Sequence, residues 1–332
     1  MDRREFLKKA VQAGGFAFAA PLIPSVAAGP ARRAAGVAFV KTMDRAAGVN
    51  RAIDLLGVSS LKGKDLFIKP NFNSADEPPG STHMDTLGAL VRKLRKLEAG
   101  RLTIGDRSGM GDTRAVMNGK DVFRFAREME CETLAFDELP ENQWEQVTHG
   151  AAHWSKGFFF PAPVRKAAGI VQTCNLKTHR YGGHFTLSLK NSVGLAAKFV
   201  PGDAYNYMKE LHSSPSQRLM IAEINTAYEP DLIVMDGVEA FVTGGPDSGK
   251  KVASGVILAS TDRVALDAVG VALLRHFGTT AEVSRGKIFE QEQIARAVQL
   301  DVGVSGPEQI ELITADNESA DFAKTIKQVL TA

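Results

Sequence analysis

The segment Gly169-Ile-Val-Gln-Thr-Cys174, continued by Asn175-Leu-Lys-Thr-His179, decides how the rest of the chain is interpreted. Its first half is apolar and predicts a buried strand over Ile170 to Cys174. Its second half begins a run to Gly194 that is dense in cationic and imidazole side chains. In open α/β sheets, ligands bind outside the carboxyl ends of the strands. We therefore predict a binding or catalytic site directly after this strand.

Strands and helices alternate on both sides of this segment. Apolar runs predict strands at 37–41, 65–69, 102–105, 133–136, 231–235, 255–259 and 310–314, and helical spacing predicts helices at 45–56, 86–97, 121–130, 216–228, 262–276, 286–299 and 320–330. Residues 154–160 are predicted to form an edge hairpin. The alternation indicates an α/β fold, a mostly parallel sheet with helices on both faces. No Pro- or Ser-rich linker divides residues 29–332, so we predict one domain with inserted loops.

Polar side chains follow four of the predicted strands. They are Lys69 and Asn71, Asp106, Lys177 and His179, and Asp236 and Glu239. The carboxyl ends of parallel strands meet at one edge of a sheet, so these side chains are expected to converge in one crevice. Taken singly, each residue also suits a turn, a helix cap or a solvated strand end.

The cationic residues of the central run suit an anionic ligand. Lys177, Arg180 and Lys190, with Asn191 beside them, offer the point charges and the bidentate fork that bind a carboxylate or phosphate.

Gly244-Gly-Pro-Asp-Ser-Gly-Lys250 resembles the start of a phosphate-binding P-loop, but Lys251 follows where that motif requires Ser or Thr. We interpret it as a Gly-rich loop beside the site, whose Lys250 contacts the ligand. A Rossmann fingerprint and a nucleophile elbow are both absent from the sequence.

His179 and His184 leave three interpretations open. One of them acts as a general acid/base oriented by Asp236 or Glu239, or they bind substrate without proton transfer, or they join a carboxylate in a mixed N/O metal site. Their spacing of five does not match the helical pair of zinc proteases. Neighbouring cations would repel a metal unless an anionic substrate bridged them.

The N-terminus predicts export. Asp2-Arg3-Arg4-Glu5-Phe6-Leu7-Lys8-Lys9 precedes a weakly apolar run and the small residues Ser25 to Ala28. This pattern is typical of a twin-arginine signal, which predicts a signal peptide over residues 1–28, the twin-arginine translocase as a transient partner and a periplasmic location. Anchoring by an uncleaved signal is the alternative.

The mature chain is close to neutral. The 40 basic residues less four in the signal, and the 38 acidic residues less two, leave 36 of each. No electrostatic footprint for nucleic acid follows. The only cysteines, Cys131 and Cys174, are expected to be free thiols, and two cysteines cannot hold an iron–sulfur cluster alone. The identity of any cofactor stays open.

Several motifs together resemble a known family. They are Lys69-Pro-Asn-Phe72, Asn175 to His179 with Leu189-Lys-Asn-Ser-Val-Gly194, Asp236-Gly-Val-Glu239 with Gly244-Gly-Pro246, and Leu258 to Asp262 with Ala265-Leu-Asp267. On these residues the chain resembles domain-of-unknown-function family 362 over about 37–280. Some members carry a ferredoxin-like module, but this chain has no cysteine cluster, so any iron–sulfur cluster would be held by a redox partner protein. The resemblance implies no activity.

The sequence is compatible with two main functions. The first is an exported enzyme that acts on a small anionic substrate by histidine acid/base chemistry. The second is a non-catalytic ligand-binding or redox-accessory protein that uses the same cationic groups. A metal-dependent enzyme is a third reading.

Overall fold

A mixed sheet forms the centre of the molecule. The structure, a computed structural model, describes residues 34–148 and 152–332. The strands are β1 (Ala35–Lys41), β2 (Leu66–Lys69), β3 (Leu102–Asp106), β4 (Glu132–Ala135), β5 (Trp144–Val147), β6 (Phe158–Pro161), β7 (Gly169–His179), β8 (His184–Thr186), β9 (Leu232–Gly244), β10 (Gly249–Val252), β11 (Val256–Ser260) and β12 (Ile310–Ile313). The main path of the sheet has the order β12-β1-β11-β9-β7-β2-β3-β4.

Strand direction is nearly uniform along this path. β12 is parallel to β1, and β9, β7, β2, β3 and β4 are parallel to one another. Only β11 is reversed, since it is antiparallel to both β1 and β9. The predicted mostly parallel sheet is therefore confirmed.

Helices cover both faces of the sheet, as predicted. They are α1 (Arg45–Leu56), α2 (Met84–Lys96), α3 (Thr113–Gly119), α4 (Val122–Glu128), α5 (Ala162–Arg165), α6 (Ser188–Asn191), α7 (Tyr207–Ser213), α8 (Gln217–Ile224), α9 (Arg263–His276), α10 (Ala281–Ser284), α11 (Glu292–Gln299) and α12 (Asn317–Thr331). Successive residues of a strand face opposite sides. Accordingly, Ile257 packs in the core with α1 and α2, and Leu258 packs in the core with α9 and α12.

Two strands are longer than the sequence predicted. β7 continues through Lys177 and His179, and β9 continues through Asp236 and Glu239. Their extensions pair with β8 and β10, which supplies the hydrogen bonds that the polar sequence alone did not signal. Lys177 and His179 therefore lie within a strand rather than after it. The predicted hairpin at 154–160 is also corrected, because β6 pairs with β5 in a separate two-stranded sheet.

The ends of the chain and its cysteines bear on localisation and redox chemistry. The predicted signal peptide, residues 1–28, lies outside the described residues. No helix in the part of the chain that the structure describes is long and apolar enough to cross a bilayer. Cys131 and Cys174 are free thiols, and burial raises the pKa of Cys174 well above its usual value.

Candidate functional site

A pocket opens where β2, β3 and β7 end. Its cavity volume is about 50 Å³. Its ionisable lining residues are Lys69, Asp106, Arg107, Lys177, His179, Lys190 and His212, and we call it the cationic pocket. Asn71 and Asn191 also line it. The structure thus brings together six of the predicted ligand-binding or catalytic residues: Lys69, Asn71, Lys177, His179, Lys190 and Asn191.

One wall holds a buried ion pair. Lys69 Nζ lies 2.7 Å from Asp106 Oδ1 and donates to Asn191 Oδ1 at 3.1 Å. Asp106 also accepts the backbone N–H groups of Phe72 at 2.6 Å and Arg107 at 2.7 Å. Burial lowers the pKa of Lys69 and raises that of Asp106, and their mutual attraction opposes both shifts. Wherever the shared proton resides, the pair contributes no net charge.

Arg107 adds a charge that contacts only protein atoms. Its side chain is buried, and its N–H groups donate to the carbonyl oxygens of Ser108, Gly109, Val193 and Ala196 and to the sulfur of Met208. Burial lowers the pKa of Arg107 to about 10, so the guanidinium stays charged at neutral pH. Because these N–H groups already have protein acceptors, Arg107 would influence a ligand through the electrostatic field of its charge rather than through a hydrogen bond.

Lys177 and Lys190 are the cations available to a ligand. Lys177 Nζ is buried and donates to the carbonyl oxygens of Gly80 and Pro246, leaving one N–H. Within the described part of the chain, Lys190 Nζ has no hydrogen-bond or ion-pair partner. Burial lowers the pKa of Lys177 to about 7 and that of Lys190 to about 8, with Lys190 lowering Lys177 further and Arg107 lowering Lys190 further.

His179 and two further side chains present unused polar atoms. Among the described residues, the buried atoms Asn71 Nδ2, His179 Nδ1 and Thr186 Oγ1 have no hydrogen-bond partner, and all three residues line the pocket. Burial lowers the pKa of His179 well below its usual value, and the charges of Lys190 and Lys177 lower it further. The imidazole is therefore neutral when the pocket holds no ligand.

Two glycines allow the backbone to approach these groups. A Cβ atom at Gly183 would lie 2.5 Å from Lys190 Cε and 3.1 Å from His179 Nδ1. One at Gly194 would lie 2.5 Å from Asp106 Oδ1 and 2.8 Å from Lys69 Nζ. A side chain at either position would therefore displace Lys190 or the Lys69–Asp106 pair from its place in the pocket.

Asp267 fixes the short helix that brings Lys190 and Asn191 to the pocket. Its carboxylate accepts the N–H groups of Ser188 at 2.7 Å and Leu189 at 3.0 Å, which caps α6. Burial raises the pKa of Asp267 to about 8, and these two bonds oppose the shift. The sequence reading did not single out Asp267, Arg107 or Thr186 as site residues. For Arg107 a signal existed, since it directly follows the end of β3.

The two carboxylates predicted to orient a histidine lie elsewhere. Asp236 accepts from Arg45 Nε at 2.9 Å and Thr86 Oγ1 at 2.6 Å, and Glu239 pairs with Arg45 and Lys251. Neither lines the cationic pocket. The expected convergence of four strand ends is thus corrected to three, because β9 continues past Asp236 and Glu239 and α1 supplies Arg45 as the partner of both carboxylates.

His184, Arg180 and Lys250 also lie outside the pocket. His184 is paired with His179 in the backbone register of β8 and β7, and both histidines line a second, neighbouring pocket together with Arg180. Arg180 pairs with Asp247 at 2.9 Å. Lys250 is exposed on β10, and the loop before it directs the carbonyl of Pro246 toward Lys177. The loop therefore contacts the Lys177 ammonium group rather than an anion. Its Gly245 N–H donates to the carbonyl oxygen of Ser248, within the same loop, at 2.7 Å.

A mixed N/O metal site was one of the three interpretations of the two histidines. Across 34–148 and 152–332, no group of three His, Cys, Asp or Glu side chains is arranged to hold a metal ion. His179 has two lysines beside it rather than carboxylates. The arrangement suits an anionic group far better than a cation.

Comparisons with known proteins place the chain in a family. The family model described as "Domain of unknown function (DUF362)" matches residues 66–272. No curated protein matches. Among solved structures, the chain is similar to the lactate racemase apoprotein from Thermoanaerobacterium thermosaccharolyticum, with 16% identity over 73% of this chain and a TM-score of 0.44. The match covers 58% of that chain, so this protein spans less than two thirds of it.

Proposed function

We propose that this chain, which belongs to the DUF362 family, binds a small anionic substrate in the cationic pocket and moves a proton on it. The observation that carries the proposal is the set of buried polar atoms left without partners around Lys190. Buried polar groups in native proteins nearly always have hydrogen-bond partners, and exceptions point to a missing ligand, ion or water. Of the nine such side-chain atoms among the described residues, three, Asn71 Nδ2, His179 Nδ1 and Thr186 Oγ1, share one pocket with an unpaired ammonium group.

The net charge of the pocket lining indicates that the ligand is negatively charged. The Lys69–Asp106 pair is neutral overall, whereas Arg107, Lys177 and Lys190 have no carboxylate partner in the lining. Buried charges are unfavourable unless they are compensated. A carboxylate or phosphate that accepts from Lys190, Lys177 and Asn71 would supply both the charge and the hydrogen bonds.

The same anion would activate His179. Two of the causes that lower the pKa of its imidazole are the charges of Lys190 and Lys177. A bound anion opposes those charges and therefore raises the basicity of the imidazole at the moment when a substrate is present. This coupling supports His179 as the acid/base residue.

Replacing Lys190 by Gln is expected to weaken sulfate binding roughly 10- to 100-fold, because a charge-assisted hydrogen bond contributes about 1.5–3 kcal/mol. Isothermal titration calorimetry on the purified chain at about pH 6.5 measures the effect. Lys250→Gln is the matched control, since it removes the same charge from an exposed strand, and its affinity should equal that of wild type.

The pH dependence of binding provides a second readout. Sulfate keeps its charge across the neutral range, so its affinity should fall as the pH rises through about 7 to 8, where Lys177 and Lys190 lose their protons. Equal losses in the Lys190 and Lys250 variants, or no sulfate binding by wild type, would contradict the proposed anion site.

We also propose that the protein is exported by the twin-arginine route to the periplasm. The support is the sequence Arg3-Arg4 followed by Phe6-Leu7-Lys8 and a weakly apolar run. Replacing Arg3 and Arg4 by Lys should retain the chain in the cytoplasm at its full mass, as measured by cell fractionation and mass spectrometry. Unchanged periplasmic delivery of the double variant would exclude this route.

A further inference from the structure

We infer that the ligand of the cationic pocket is a compact dianion, in which one negative charge is held by Lys190 and the other by Lys177. This inference rests on the proposed function and specifies its substrate class. It follows from where the pocket's charges sit and from which donors are free. It holds for a tetrahedral group such as a phosphate and for a pair of carboxylates on a short chain.

Two cations that have N–H groups free for a ligand reach the pocket from different secondary-structure elements. Lys177 extends from β7, and Lys190 extends from α6. Both side chains line the same pocket, and the charge of Lys190 lowers the pKa of Lys177. A single negative charge would leave one of two neighbouring buried ammonium groups uncompensated, which is costly in a low-dielectric site.

Protein carboxylates do not take the place of the second charge. In the lining of the pocket, Asp106 is the only acidic side chain, and Lys69 lies against it. The carboxylates that act on Lys177 from outside are Asp76 and Asp247, and Asp247 is already paired with Arg180. Arg107 adds a third positive charge whose donors are occupied.

The free hydrogen-bonding atoms agree with a ligand that has several oxygen atoms. Lys190 Nζ offers three N–H groups to a ligand and Lys177 Nζ offers one, while the buried Asn71 Nδ2 has two N–H groups without an acceptor. Thr186 Oγ1 and His179 Nδ1 add two more contacts whose donor or acceptor role the ligand sets. A group with a single carboxylate cannot satisfy this set.

Matched pairs of small anions test the inference. Calorimetry at about pH 6.5 and constant ionic strength would compare sulfate with methanesulfonate, and malonate with acetate. Within each pair the shape of the charged group is alike and the charge differs by one. We expect the dianion to bind at least about 10-fold more tightly in one pair, and that pair identifies a tetrahedral or a dicarboxylate ligand.

The variant Lys177→Gln should reduce this preference to less than about threefold, because only one accessible ammonium group then remains. Equal affinities within both pairs for wild type would overturn the dianion inference and leave the anion site itself standing. Failure of all four anions to bind would overturn both the inference and the proposed function. The wild-type comparison decides the point even if Lys177→Gln does not fold.

Discussion

Replacing His179 by Asn is expected to slow proton exchange on a bound substrate by about 10²–10⁴-fold, which is the usual contribution of a positioned acid/base residue. The chain would be incubated in D₂O with a panel of small carboxylates and phosphate esters, and loss of C–H signals would be followed by proton NMR. Because His179 Nδ1 has no partner among the described residues, the substitution removes no protein hydrogen bond from that atom. The variant should therefore fold normally, and because the Asn amide can replace the imidazole's hydrogen bond to the anion, sulfate affinity should change by less than about threefold.

His184→Asn is the matched control for this experiment. His184 has a backbone φ of 60°, a conformation that Asn tolerates better than most residues, so the control adds little strain. We expect its exchange rate to equal that of wild type, since His184 does not line the cationic pocket. An unchanged rate in His179→Asn would move the proton-transfer role to Lys177 or Lys190. Exchange on no compound, with sulfate binding intact, would favour a non-catalytic ligand-binding protein.

The main elements of the fold were predictable because they have local signals. Helix α1 was predicted to its observed bounds, Arg45–Leu56, by its helical spacing, and the helix predicted at 262–276 is observed as α9 over Arg263–His276. The lengths of β7 and β9 were not predictable in this way. Their polar extensions depend on pairing with β8 and β10, which is a tertiary effect.

Part of the candidate site was predictable from strand ends. The rule gathered Lys69, Asn71, Lys177 and His179 correctly because β2 and β7 are parallel neighbours. It failed for Asp236, because a sequence does not show that Arg45, 191 residues away, will pair with that carboxylate. It also gave no reason to prefer His179 over His184, since burial and the position of Lys190 distinguish them only in three dimensions.

Replacing Asp106 by Asn is expected to lower the free energy of unfolding by about 3–5 kcal/mol at neutral pH, because the substitution leaves Lys69 buried without its counter-charge. Phe72 N–H and Arg107 N–H donate to different oxygens of Asp106, so Asn, with one side-chain oxygen, keeps only one of these hydrogen bonds and the loss includes the other. Urea denaturation measures it. Asp65→Asn, which breaks an exposed pair with Arg101, is the control and should have a much smaller effect.

The pH dependence of this loss distinguishes an uncompensated charge from a general packing defect. Burial already lowers the pKa of Lys69, and removing Asp106 takes away the attraction that raises it, so native Lys69 releases its proton at a lower pH than the unfolded chain. Where the unfolded chain binds more protons, stability rises with pH. The deficit of Asp106→Asn relative to wild type should therefore shrink as the pH rises from neutral toward the usual lysine pKa of about 10.4. Adding Lys69→Met to Asp106→Asn should remove that pH dependence and restore part of the stability, and a deficit that stays constant with pH would contradict the buried-charge explanation.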